Sequence, residues 1–200
     1  MRDLSLVLHG IAIKKYGTAE QVADITGLEP DRVETLLAEA VEKGRVSEAK
    51  GKYMLTPAAQ ITLKGEYAKA YGDLREDADF MAAYEEFERI NVEFKQLITQ
   101  WQTMEVGGQT VANDHSDPDY DADIIDRLGE VHERVERVLD RLAAKEPRMT
   151  RYKEKLLEAL EKSEDGDHKW VSDATIDSYH TVWFELHEDL LRVVGREREE

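Results

Sequence analysis

The chain has 200 residues, no cysteine and a formal net charge of -17, which excludes a disulfide framework and a thiolate metal site. Hydrophobic residues make up 41% of it, so a packed core is expected and global disorder is excluded. The charge is uneven: residues 1–75 hold 11 basic and 11 acidic side chains, whereas residues 76–200 hold 16 and 33. Because acidic surfaces repel phosphate backbones, any nucleic acid would have to contact the first 75 residues.

Helical spacing of apolar residues predicts three helices in the first 44 positions. The first covers residues 4–15. Thr18 and Gln21 have the spacing of a capping box at the start of the second, which ends at Gly27. Pro30 is a favourable first residue for the third helix.

The spacing of apolar residues changes after the third helix. In residues 46–55 apolar and polar side chains alternate, as in β-strands, and Gly51 suits a turn between two strands. This pattern predicts a β-hairpin with Gly51 at its tip. Thr56 and Pro57 then open a fourth helix that reaches about Tyr71. Three helices followed by a hairpin predict a winged helix-turn-helix domain over residues 1–75.

The segments "TAEQVADITGLEPDRVETLLAEAVEKGRV" and "GKYMLTPAA" resemble the winged-helix domains of bacterial regulators, including the MarR type. The resemblance covers about residues 4–72. It implies DNA binding in which the third helix reads bases and the hairpin contacts the backbone or the minor groove. The residues expected to do so are Arg32, Thr35, Arg45, Lys50 and Lys52.

Acidic neighbours keep a second interpretation open for this domain. Asp31 and Glu34 flank the expected base-reading side chains of the third helix. Winged helices also serve as protein-docking modules, so the fold alone does not decide between DNA and a protein partner. DNA binding predicts a positive ridge along the third helix and hairpin, whereas docking predicts an exposed apolar or mixed patch there.

Residues 76–200 predict a second, acidic domain that is helical throughout. From Phe80 to Trp101 the apolar positions follow steps of four and three, with Asn91 as the one polar member of the seam. Residues 105–122 are expected to form a loop. Three further helices are predicted, with apolar seams that begin at Ile124, at Met149 and after about residue 173. Four such helices predict an antiparallel bundle, so the fold class is mainly α.

Polar and aromatic residues beside these seams predict a ligand pocket inside the bundle. His180 and His187 share a helix face, and a metal would need ligands from other helices because their spacing is ~10 Å along the axis. We therefore expect no metal and no cofactor. The alternative is that these histidines are hydrogen-bonded at the edges of the core. The expected pocket residues are Asn91, Trp101, His132, Tyr179, His180, Trp183 and His187.

The segment "NDHSDPDYDAD" contains Asp117, Asp119 and Asp121 at the spacing of a calcium-binding EF-hand loop. Ala122 and Leu128 occupy the positions where that loop needs glycine and a bidentate glutamate. The segment is therefore expected to be a solvated loop whose aspartates cap the following helix.

No nucleophile motif and no phosphate-binding loop occurs in the sequence, so an enzyme is not expected. No apolar run reaches the ~20 residues of a membrane span, and the first residues lack a signal-peptide cleavage site, which predicts a cytoplasmic protein without membrane contact. The C-terminal part also resembles uncharacterised actinobacterial segments associated with phosphoenolpyruvate-utilising phosphotransferases, which implies an accessory role. The sequence thus predicts a transcriptional regulator, expected as a homodimer, with a helical domain that dimerises or senses a ligand. The alternative is an accessory protein that binds another protein and no DNA.

Overall fold

The structure is a computed structural model in which residues 1–197 are described. It is mainly helical with two small antiparallel hairpins, which confirms the predicted fold class. The chain divides into two compact units. The first contains Met1–Ala78 together with the residues from Glu185 onward, and the second contains Asp79–Phe184.

The first unit has the order of elements that the sequence predicts, three helices and then a hairpin. Thr18 caps the second helix in a capping box with Gln21, and Thr56 caps the fourth by accepting from the backbone N–H of Ala59. A short helix follows the fourth. The elements are α1 (Asp3–Lys14), α2 (Ala19–Thr26), α3 (Pro30–Glu42), β1 (Val46–Ala49), β2 (Lys52–Leu55), α4 (Pro57–Ala70) and α5 (Gly72–Glu76).

The β1–β2 hairpin is held against the rest of the first unit at its base and side. Val46 pairs with Leu55 and both are buried. Gly17, in the turn after α1, forms a bridge with Tyr53 in which each N–H donates to the other carbonyl. The hairpin is therefore a fixed part of this unit.

The second unit is built from long helices and a second hairpin. The elements are α6 (Ala78–Gln102), β3 (Thr103–Val106), β4 (Gln109–Ala112), α7 (Pro118–Lys145), α8 (Thr150–Glu164), α9 (Lys169–Ser172) and α10 (Tyr179–Val194). Helix α10 begins in this unit, and its residues from Glu185 onward belong to the first unit.

Two local expectations for the second unit were wrong. Residues 103–112 form a hairpin rather than a loop, because Gly107 and Gly108 both adopt positive φ, as a tight two-residue hairpin turn requires. The last helix begins at Tyr179 and not near Asp173, because the Asp173 carboxylate accepts from the backbone of Thr175 and turns the chain there.

Ion pairs and polar contacts show that α6 and α7 run antiparallel. Arg127 donates to Gln100, Arg134 pairs with Glu93, and Arg141 pairs with Glu86. Residue numbers therefore fall along α6 as they rise along α7. The predicted α6 seam is buried along its length: Phe80, Tyr84, Phe87, Asn91, Phe94, Ile98 and Trp101.

None of the helices within residues 1–197 combines the length and the apolar character that crossing a membrane requires.

Candidate functional site

One side of α3 is exposed, and we call it the α3 face. Val33, Leu36, Leu37 and Ala40 are buried at helical spacing, which leaves the opposite side of the helix to solvent. Helix α3 carries four acidic residues and one basic residue, so its charge is negative. The α3 face consists of Asp31, Arg32, Glu34, Thr35, Ala38, Val41 and Glu42.

Two side chains expected to read bases already have partners within the protein. The Nε and Nη2 atoms of Arg32 both donate to Oδ2 of Asp3, each at 3.0 Å, and both residues are about half exposed. The Thr35 hydroxyl donates to the carbonyl of Asp31 at 2.8 Å. These bonds direct both side chains back onto the protein.

The cations of the hairpin that were expected to contact DNA differ in exposure. Lys50 and Lys52 are exposed and Arg45 is half-buried. Lys52 Nζ stands 5.2 Å from the centre of the Tyr16 ring, within the range of a cation–π contact. Glu48 lies among these cations and accepts from the backbone N–H of Gly51 at 2.7 Å. The α3 face and the hairpin thus both carry acidic as well as basic side chains.

A cleft of about 700 Å³ opens elsewhere in the first unit, between α1, β2, α4 and the C-terminal half of α10. We call it the basic cleft, because its lining contains five cationic and two acidic side chains in a chain of net charge -17. These residues are Lys15, Lys64, Arg75, Arg192, Arg196, Glu188 and Glu197.

A chain of buried polar groups reaches the floor of the basic cleft. His9 Nε2 lies 3.0 Å from Asp189 Oδ1 and its Nδ1 lies 2.9 Å from the Tyr67 hydroxyl, with His9 and Asp189 fully buried. Tyr67 lines the cleft and interacts with the guanidinium of Arg192, which pairs with Glu188 at 2.7 Å. Burial raises the pKa of Tyr67, so its hydroxyl keeps its proton.

This polar chain is not predicted by the sequence. His9 lies among the apolar residues of α1, and its partners are 58 and 180 residues away. The only local signal is a histidine on the buried side of a helix, which commonly means a hydrogen-bonded core residue.

In the second unit, several expected pocket residues contact each other directly. The Trp183 indole N–H donates to Oδ1 of Asn91 at 2.9 Å, and its ring stacks on Phe94 with centroids 4.2 Å apart. The Tyr179 hydroxyl lies 3.2 Å from Nδ1 of His132. The Trp183 indole N–H and the Tyr179 hydroxyl are therefore hydrogen-bonded within a packed core, whereas Nε2 of His132 is buried without a hydrogen-bond partner among residues 1–197.

The two histidines of this cluster differ in how far they are buried. His132 is buried, and His180 is partly buried with its ring 6.1 Å from that of Phe94. Burial lowers the pKa of both imidazoles, because desolvation disfavours the charged form.

One of the remaining expected pocket residues, Trp101, contacts a different set of side chains. Trp101 follows Asn91 by ten residues on α6, which is ~15 Å along the helix axis, and it contacts His115 and His168 instead. His187 is buried in the first unit.

The aspartate-rich segment caps α7, as the sequence predicts. Asp117 accepts from the backbone N–H groups of Asp119 and Tyr120. Asp121 is buried instead of solvated, and it accepts from Asn113 and from His115 Nδ1, both at 2.9 Å. His168 Nδ1 lies 3.8 Å from the same carboxylate.

Within residues 1–197, no group of three or more histidine, aspartate or glutamate side chains is placed to hold a metal ion.

No protein-family model, no curated protein and no solved structure matches this chain.

Proposed function

We propose that the chain is an accessory or regulatory protein of winged-helix type that docks a protein with a basic surface through the α3 face. The observation that carries the proposal is the composition of that face. Asp31, Glu34 and Glu42 surround Ala38 and Val41, so the exposed side of the helix combines negative charge with a small apolar centre.

This composition is unfavourable for a helix that enters the major groove of DNA. Such a helix brings its N-terminal side chains to the base edges, between two phosphate backbones. Asp31 and Glu34 would stand there and would be repelled by the phosphates. Arg32 would first have to leave Asp3, since its Nε and Nη2 both donate to that carboxylate.

The same composition suits a basic protein partner. Carboxylates around an apolar centre match the usual arrangement of an interface, with a charged rim and a less polar middle. Val41 is 38% exposed although it is aliphatic, and Ala38 beside it leaves room for a partner side chain. Charge complementarity would speed association and fix the register of the two surfaces.

Site-specific photocrosslinking tests the docking proposal in the cells that naturally make the protein. A photoreactive residue is placed at Ala38, and a control is placed at Ile61 on α4, which is 76% exposed and outside the α3 face. We expect one dominant protein crosslink from position 38 and none from position 61. Glu34→Lys with Glu42→Lys should remove that crosslink, and equal crosslinking from both positions would refute the proposal.

DNA binding is tested separately by fluorescence anisotropy at about 50 and 200 mM salt, with labelled DNA from upstream of the gene. We expect no saturable binding at either concentration. Binding that weakens steeply with salt and is lost in Lys50→Glu/Lys52→Glu would replace the docking proposal with a DNA-binding regulator.

A further inference from the structure

We infer that the basic cleft is a binding site for a small organic anion, a carboxylate or phosphate ester with an apolar body. This site is separate from the α3 face, so the inference stands or falls independently of the docking proposal. It rests on the size of the cleft, on the sign of its charge and on the presence of apolar side chains beside the cationic ones.

The size of the cleft fits a small ligand. Its volume of about 700 Å³ lies within the ~300–1,000 Å³ that ligand pockets usually occupy. Its lower wall is apolar and well packed, with Ile11, Leu63 and Leu191 all nearly inaccessible to solvent. Met54, which is 48% exposed, lines the cleft as well and offers an adaptable surface to an apolar group.

The charge of the cleft is opposite to that of the whole protein. Three of its five cationic residues are arginines, whose planar donor forks match carboxylate and phosphate oxygens. Arg192 is mostly buried and lines the cleft, and its Nη2 pairs with Glu188 at 2.7 Å, which holds the guanidinium in place.

Arg75 is held in place at the edge of the cleft. Its Nε donates to the carbonyl of Val193 at 2.7 Å, and its Nη2 donates to the carbonyl of Arg192 at 3.2 Å. Gly195 adopts a φ of +78°, and a Cβ there would lie 2.8 Å from Cζ of Arg75. The guanidinium therefore packs against bare backbone, and the other donors of its fork are the groups that would meet an anion.

An acidic side chain already neutralises part of the entrance. Glu197 pairs with Lys64 at 2.6 Å, but both side chains are more than three-quarters exposed. Water and salt compete with a pair this exposed, so a ligand anion can take the place of the Glu197 carboxylate.

Calorimetric titration of the full-length protein tests the inference with four probes: benzoate, phenyl phosphate, inorganic phosphate and benzyl alcohol. We expect one of the two aromatic anions to bind, inorganic phosphate to bind more weakly, and the neutral alcohol not to bind. Binding should weaken as salt rises, because part of the attraction is screened electrostatics.

Two lysines on the same helix provide matched variants. Lys64→Gln removes a cation of the cleft, whereas Lys69→Gln removes an exposed cation of α4 outside the cleft, and neither side chain is needed for the core. Lys64→Gln alone should weaken binding of the aromatic anion, and Lys64→Gln combined with Arg196→Gln should weaken it about tenfold. Lys69→Gln should leave its affinity unchanged.

The position of the ligand is checked by NMR of methionine methyl groups. Met54 lines the cleft, whereas Met81 lies on α6 in the second unit. We expect the Met54 methyl signal to shift during the titration and the Met81 signal to stay. The inference is overturned if no aromatic anion binds at about 10 mM, if the alcohol binds as well as the anions, or if Lys69→Gln weakens binding as much as the cleft variant.

Discussion

His9 on α1 and Asp189 on α10 form a 3.0 Å contact between two fully buried side chains that are 180 residues apart in the chain. A buried carboxylate that loses a hydrogen-bond partner is strongly destabilised, because burial has already removed its water. This contact therefore ties the end of the chain to its first helix within the first unit.

We predict that His9→Ala lowers the free energy of unfolding by about 3–5 kcal/mol, since it leaves Asp189 buried without the imidazole. Arg32→Ala breaks the pair with Asp3, in which both side chains are half exposed, and should cost about 0–1 kcal/mol. Urea denaturation measures both variants. Similar losses in the two would show that burial does not distinguish these pairs.

A second prediction concerns the bond between Trp183 and Asn91. Asn91→Leu keeps the side-chain volume similar but leaves the buried indole N–H of Trp183 without an acceptor, which should cost about 1–3 kcal/mol. Trp183→Phe removes the donor. In a double-mutant cycle the double variant should lose less stability than the sum of the single variants. Strict additivity would mean that the hydrogen bond contributes nothing.

The third prediction compares two aspartates in the first turn of α7. Asp121→Ala removes the buried acceptor of Asn113 and His115 and should cost about 1–3 kcal/mol. Asp119→Ala removes only an exposed charge near the helix N-terminus and should cost about 0.3–1 kcal/mol. Thermal unfolding monitored by circular dichroism compares the two. A larger loss for Asp119→Ala would show that the buried contacts of Asp121 do not stabilise α7.

The fourth prediction concerns pH. Burial lowers the pKa of His132 and His180 in the folded protein below the ordinary value of 6.5. As pH falls through 6.5 the unfolded chain therefore takes up more protons than the folded one, and stability decreases until the folded-state pKa values are passed. Urea denaturation between about pH 7.5 and 5.5 should show this loss.

A variant separates this pH effect from that of other groups. In His180→Asn the decrease in stability between pH 7.5 and 5.5 should be smaller, because one titrating imidazole is gone. Arg134 lowers the pKa of Glu93 in the folded protein. This carboxylate therefore loses its contribution to stability only at more acidic pH, since its ordinary pKa is 4.5. An unchanged pH dependence in the variant would contradict the assignment to His180.

Local patterns in the sequence predicted much of the fold. The capping box at Thr18, Pro30 at the start of α3 and the seam from Phe80 to Trp101 are all present. Each depends on residues a few positions apart, where backbone geometry alone determines which side chains meet. The hairpin at residues 103–112 was missed because Gly107-Gly108 also fits a flexible turn, and only the pairing of β3 with β4 decides between them.

The two candidate sites differ in how far the sequence predicts them. The acidic composition of the exposed side of α3 can be predicted from the sequence, because helical periodicity determines which side of that helix is buried. The basic cleft is not, since its cations come from the ends of α1 and α10 and from the α4–α5 region, and each is an ordinary surface charge in its own segment. Only tertiary packing brings these cations together and places the Asp189 carboxylate within hydrogen-bonding distance of His9. Contacts between distant segments depend on how the helices pack and not on local spacing.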